Sequence, residues 1–280
     1  MRISRLFQIF TAVIFISGCS KNEIKESSGL KIIALSPGIV ETVFFLGKGD
    51  NIIGASGFCD YPPEAKNIPV VANVSDINME FTLKLAPDIV LVMPSQQNIA
   101  DKLNLMNIKT VIVHQETLDQ ILNSFLVIGK EIKRGERSLF VHDSLKSVLN
   151  NYKNPSNGLK ILLSVGREYG SGITYIYSNG KTGFLNDIIT LLGYINALET
   201  AVPYPKIGVE TILTLDPDFI IDLVPSDINI NENNLLNDWK LFENSKAYKK
   251  GKILIFKGDQ TTIPGPRIFD FIKDLKEKGL

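Results

Sequence analysis

Apolar residues recur along this chain in two rhythms. Uninterrupted runs such as KIIAL (31–35) and KILLS (160–164) predict strands buried on both faces, the habit of parallel sheets. After the first of them Ser36-Pro37-Gly38 turns the chain, and IVETVFFLG (39–47) follows with helical spacing and a stop at Gly47. NIKTVIV (107–113) and KKGKILIF (249–256) predict one more strand each. Strand alternating with helix predicts α/β lobes built on parallel sheets.

The pattern is written twice. LKIIALS (30–36) is matched by LKILLSV (159–165), and ETVFFLG (41–47) by DIITLLG (187–193). EFTLKLAPDIVLV (80–92) is matched in register by ETILTLDPDFIID (210–222). In both copies a proline closes a short helix, and an aspartate and an apolar strand follow at once. Such self-similarity predicts two lobes of like design rather than a many-repeat array. Between them, residues 116–154 carry Ile121, Phe125, Ile128, Ile132, Leu139, Leu145 and Leu149 at three-, four- and seven-residue spacings, with no proline before Pro155. One helix of roughly 30 residues would be about 45 Å long and could run along both lobes as a stiff connection. Two helices broken near Gly135 are the other arrangement the sequence allows.

The first residues read differently. Arg2 and Arg5 precede the short apolar run LFQIFTAVIFI, and ISGC (16–19) fits a lipobox. Cleavage before Cys19 would leave a diacylglyceryl cysteine, and the polar stretch 20–29 would be a tether. The expected organisation is a lipoprotein signal (1–18), a lipidated tether (19–29), an N-terminal lobe (30–115), a linking helix (116–154) and a C-terminal lobe (155–280).

Charge and chemistry narrow the function. A formal net charge of zero gives no electrostatic case for nucleic acid. The two histidines, His114 and His142, lack ligand-like spacing, which argues against a free zinc or manganese binder. With Cys19 lipidated, Cys59 in GASGFCDYPPEAKNIP (54–69) is the one thiol left, and no triad signature surrounds it. It reads as a small buried hydrophobe. The first strand ends in SPGIVE and the second in VGREYGSG, neither a phosphate-binding glycine turn, and HExxH, GxSxG and Walker A sequences do not occur. An enzyme is not expected.

KIIALSPGIVETVFFLG, FCDYPPEAKNIPVVANVSDINMEFTLKLAPDIVLV, VPYPKIGVETILTLDPDFI, WKLFENSKAYKKGKILIF and GPRIFDFI together cover nearly the whole chain from Lys31. In these segments the protein resembles the class III solute-binding proteins of ABC importers, which take vitamin B12, ferric siderophores and haem. The SP…E, DYPPEA and VPYP…E patterns resemble the cobalamin-binding branch most. The resemblance implies two α/β lobes joined by a long rigid α-helix, with the ligand in a cleft between them. It implies no intrinsic cofactor; the ligand would be a chelated metal, a corrinoid first, with a ferric siderophore or haem as the alternative. Haem would want an axial Tyr or His, and nothing in the spacing selects one.

In such a fold the ligand sits where loops leave the carboxyl ends of strands. That places Phe58 and Tyr61 as flat faces, Tyr204 in VPYPKIG (202–208) as their counterpart, Pro37 and Gly38 at the first strand's end, and Asp259 as a polar contact. Arg267 would start the last helix and brace the cleft, and Trp239 would stay in the core. Where relatives carry further cleft tryptophans this chain has Val74 and Met93, which weakens a B12 assignment. The repeat sets Glu80 and Glu210 in one register, each in the first turn of a helix. The helix dipole favours acids there, but the resemblance implies that the pair docks on a permease dimer served by cytoplasmic ATPase subunits. Glu41 would be structural or an accessory surface acid. The implied setting is outside the cytoplasm, on a membrane anchor. A sensory or adhesive lipoprotein of the same fold is the remaining class.

Overall fold

The computed structural model describes residues 29–73 and 76–280. The first lobe is a five-stranded sheet of β1 (Ile32–Ala34), β2 (Ile52–Ser56), β3 (Val70–Ala72), β4 (Ile89–Val92) and β5 (Thr110–Ile112). All its pairings are parallel and the order is β3-β2-β1-β4-β5. Every residue of β1 and β4 is buried, because helices cover both faces. The helices are α1 (Pro37–Phe45), α2 (Met79–Leu85) and α3 (Gln97–Leu105). Ser36 caps α1 by accepting from the Ile39 amide, and Pro37 occupies the first turn, where its missing N–H costs nothing.

The connection is two helices, not one. α4 (Leu118–Glu131) and α5 (Gly135–Tyr152) pack against each other as a hairpin. Lys133 adopts left-handed backbone (φ 59°), and the Arg134 amide reaches back to the Gly129 carbonyl at 2.7 Å, a closure that ends α4. Gly129 makes the hairpin possible: a Cβ there would lie 2.2 Å from that of Ser138. The 18 residues of α5 cover about 27 Å, and both ends are fastened. Arg137 and Arg134 donate to the carbonyls of Phe45, the last residue of α1 (3.0 Å), and of Gly47 just past it (3.2 Å). At the far end the Asn154 amide donates to Leu191 in the second lobe (2.9 Å). The connection is therefore a braced hairpin rather than a single long rod.

The second lobe contains β6 (Lys160–Arg167), β7 (Tyr175–Ser178), α6 (Phe184–Leu191), β8 (Ile195–Asn196), β9 (Lys206–Gly208), α7 (Val209–Leu215), β10 (Phe219–Val224), α8 (Glu232–Asp238), α9 (Lys246–Lys249), β11 (Ile253–Lys257) and α10 (Ile268–Glu277). The strand order is β11-β10-β6-β7-β9, with β8 on the first residues of β6. This sheet is mixed, where the apolar runs alone predict a parallel one. Gly170 and Gly172, both at φ 82°, fold the chain back after β6, and a hairpin return can only be antiparallel, so β7 pairs β6 in that sense; β9 also runs antiparallel to β7.

The repeat has a physical basis. α2 and α7 both end on a left-handed residue, Ala86 (φ 49°) and Asp216 (φ 37°), before Pro-Asp. Asp88 then accepts from the Lys31 amide (2.7 Å) and Asp218 from the Lys160 amide (3.0 Å), tying each junction to the strand that opens its lobe. One apolar cluster runs through both lobes. It joins Ile32 and Leu91 of the first to Ile161 and Ile221 of the second by way of Phe125 in α4, Ile188 in α6 and Phe271 in α10.

Candidate functional site

The cleft lies where the carboxyl ends of β1, β2, β4 and β5 face the second lobe, and it has two halves that meet at Thr262. One half, about 590 Å³, is polar. Pro37, Phe58, Asp60, Tyr61 and Lys66 line it from the first lobe; Ser226, Asp227, Asp259, Ile263 and Arg267 line it from the second. The other, about 470 Å³, is mainly apolar, with Met93, Val113 and Gln115 opposite Phe184, Tyr204 and Pro264.

Phe58 stands at the rim with 81 % of its surface exposed, and its backbone is left-handed (φ 64°). That conformation costs a bulky residue on the order of 1 kcal/mol or more and is characteristic of binding loops. Tyr61 is half exposed, and its ring carries the guanidinium of Arg267 at 4.2 Å. Arg267 also donates to Glu41, from Nε to Oε2 at 3.0 Å and from Nη2 to Oε1 at 2.5 Å, a two-pronged bond between α1 and the segment entering α10. Glu41 is 3 % exposed, so a surface role is excluded; it is the buried anchor of this bond. Burial pushes its carboxyl above the ordinary range, and Arg267 opposes that shift.

Asp259 is held by Ser226, which donates from both its amide (3.1 Å) and its hydroxyl (2.6 Å). Gly38 does not line the cleft. It is buried beneath it, so close to the second lobe that a Cβ would fall 2.3 Å from the Pro264 carbonyl oxygen. Pro37, Phe58, Tyr61 and Asp259 are brought together in the polar half, and Tyr204 sits in the other. Met93 lines the apolar half; Val74 and Cys19 lie outside the described residues. Cys59 is 7 % exposed, and burial pushes its thiol up, as for a packed side chain rather than a nucleophile. Sequence reasoning did not pick out Asp60, Lys66, Gln115 or Asp227. Asp227 could have been found by the rule that found Asp259, since it follows the carboxyl end of β10.

Glu80 and Glu210 are exposed in the first turns of α2 and α7. Trp239 is fully buried; its indole donates to Asp222 (3.0 Å), which also pairs with Arg167.

A family model described as periplasmic binding protein matches residues 32–259. The chain belongs to this family. It is therefore an extracytoplasmic substrate-binding protein and not an enzyme. A vitamin B12-binding protein of Vibrio cholerae is 23 % identical over 265 residues, which cover 88 % of this chain and 87 % of that one. Among solved structures, a possible iron-binding (periplasmic solute-binding) protein of Staphylococcus epidermidis superposes with a TM-score of 0.70 at 27 % identity, covering 88 % of this chain and 97 % of that one. A periplasmic haem-binding protein of Vibrio cholerae gives 0.75 at 16 % identity over 89 % and 98 %, a likeness of fold alone.

Proposed function

We propose that the chain is the lipid-anchored binding component of an ABC importer for a metal chelate, most favourably a corrinoid. One observation carries this reading: both lobes contribute aromatic faces, Phe58 and Tyr61 from one and Tyr204 from the other, to one broad open cleft. Among the described residues no group of three or more His, Cys, Asp or Glu is arranged to hold a metal ion. A ligand that brings its own metal donors suits such a cleft. Met93 in place of a flat ring favours a ferric siderophore as the second reading. The relatives named as a vitamin B12-binding and a possible iron-binding protein support the class.

Calorimetric titration of the detergent-solubilised full chain with cyanocobalamin, a ferric trihydroxamate and haemin tests this. Saturable binding of cyanocobalamin is expected, weakened about tenfold by Tyr61→Ala and again by Tyr204→Ala as a stacking face is lost. Calorimetry is preferable to fluorescence because the one tryptophan, Trp239, is buried in the second lobe away from the cleft.

The exposed acids Glu80 and Glu210 serve as the docking pair, one per lobe. Their equivalent places in α2 and α7 suit a partner with its own two-fold symmetry and a basic residue on each half. Glu80→Arg combined with Glu210→Arg is expected to reduce uptake in cells to background while the ligand titration stays as in the parent. Normal uptake by that variant would exclude the docking role.

A further inference from the structure

We propose that the cleft discriminates by charge, taking neutral or cationic chelates and rejecting anionic ones; this rests on the chelate-binding reading above. Four carboxylates line the two halves: Asp60 and Glu116 on the first-lobe side, Asp227 and Asp259 on the second. The lining cations are Lys66 and Arg267, and they are not equivalent. Arg267 is committed to Glu41 through two hydrogen bonds and lies on the Tyr61 ring, so little of its charge is left for a ligand. Lys66 has no carboxylate within 4.0 Å among the described residues and stands alone against the four acids.

The placement of these acids matters as much as their number. An anion entering between the lobes meets carboxylates on both walls, so shifting toward one wall brings no relief. The braced hairpin and the contact of Gly38 with Pro264 hold the walls in place. Asp259 is fixed by two donors from Ser226 and cannot swing away without breaking them. Inside a cleft, where water is partly displaced, like charges a few ångströms apart repel more strongly than in bulk solvent.

Gln115 braces the floor of the apolar half. It is 5 % exposed and lines the apolar half. Its Nε2 donates to Ser124 Oγ (3.3 Å), whose hydroxyl donates to the Ile121 carbonyl (2.7 Å), a chain that fixes which way the amide faces. Its Oε1 has no donor among the described residues and is enclosed, 3.1 Å from where a Cβ on Gly38 would stand. The hydroxyls of Ser95, Thr182, Thr262 and the two tyrosines can donate or accept, so the contrast between ligands rests on the four carboxylates. A chelate edged with amide N–H or ammonium groups satisfies them; one edged with carboxylates or catecholate oxygens does not.

The test uses the full chain and two matched pairs of probes in calorimetric titrations at low and at moderate salt. One pair is cyanocobalamin and its singly hydrolysed monocarboxylate. The other is a cationic ferric trihydroxamate and an anionic ferric tricatecholate. The neutral or cationic member of a pair is expected to bind about tenfold tighter or more, with the ratio shrinking as salt rises and falling toward one in the Asp227→Asn, Asp259→Asn variant. An anionic member that binds as tightly as its partner, or a ratio unmoved by the substitutions, overturns the charge preference and leaves chelate binding standing. Absence of binding by all four probes overturns the chelate reading itself, and the preference with it.

Discussion

Arg267→Met is expected to lower the stability of the protein by about 3–5 kcal/mol and to weaken ligand binding at the same time. The variant removes the partner of a carboxylate that is 3 % exposed, and nothing else donates to the Glu41 oxygens among the hydrogen bonds of the described residues. The two-lobe bond is lost along with the guanidinium that supports the Tyr61 ring. The loss should depend on pH in a defined direction. Burial already raises the Glu41 carboxyl in the parent, and without Arg267 that effect goes unopposed. The folded variant then holds a proton that the unfolded chain releases, so its stability falls as pH rises through the raised value and is recovered on acidification below the unfolded one. Denaturant melts of parent and variant from pH 4 to 8 should show the gap widening with pH. Addition of Glu41→Gln should remove most of that dependence. A gap that is constant with pH would mean that Glu41 is not the group left stranded.

The second large effect is at Arg167. Its side chain is fully buried between Asp222 (2.9 Å) and Asp238 (2.6 Å), with the Tyr169 ring 4.5 Å and the Trp239 ring 5.8 Å away. Asp238 also accepts from the amides of Gly170 (2.8 Å) and Gly172 (2.9 Å), so the same cluster shapes the turn that sends β7 back along β6. Burial acts to raise the Asp238 carboxyl, but those amides and Arg167 together hold it below the ordinary range. Burial, with Asp222 beside it, pushes the Tyr169 phenol up to about 12. Arg167→Met strands two carboxylates, and a loss of about 3–5 kcal/mol is expected, equivalent to a fall in Tm on the order of 10 °C. Trp239 is the one tryptophan and bonds directly to Asp222, so its emission reports on this cluster. Substituting Asp222 and Asp238 by Asn in the same chain should recover part of the loss. No recovery would mean that packing of the guanidinium, and not its charge, is what the cluster needs.

Much of this fold was legible because burial on both faces of a parallel sheet leaves an unbroken apolar run, as in KIIAL and KILLS. The repeat was legible for a second reason: Pro87-Asp88 and Pro217-Asp218 perform one local task, tying a helix end to the opening strand. The broken linker was harder to read. Its apolar spacing is nearly continuous across Ile132, and the break depends on a left-handed lysine and on Gly129 meeting Ser138, a contact between residues that periodicity treats as equivalent to their neighbours. The mixed sheet was hidden because β7 has the composition of any strand; only Gly170 and Gly172 mark the reversal. At the site, aromatics flanked by prolines stood out, whereas the Glu41–Arg267 bond joins residues 226 positions apart and leaves no local trace. The expectation that Gly38 approaches ligand had the right physics and the wrong neighbour, since its missing side chain makes room for Pro264.

The apolar cluster that passes through both lobes has a mechanical consequence. Two bodies on a free swivel can be parted by thermal motion alone, but here any parting pulls Phe125, Ile188 and Phe271 away from shared neighbours and exposes them to water. The protein grips more like a one-piece clip than a hinged jaw. On the proposed function, release of a ligand would call for outside leverage, and the proposed grips for it, Glu80 and Glu210, stand one on each arm.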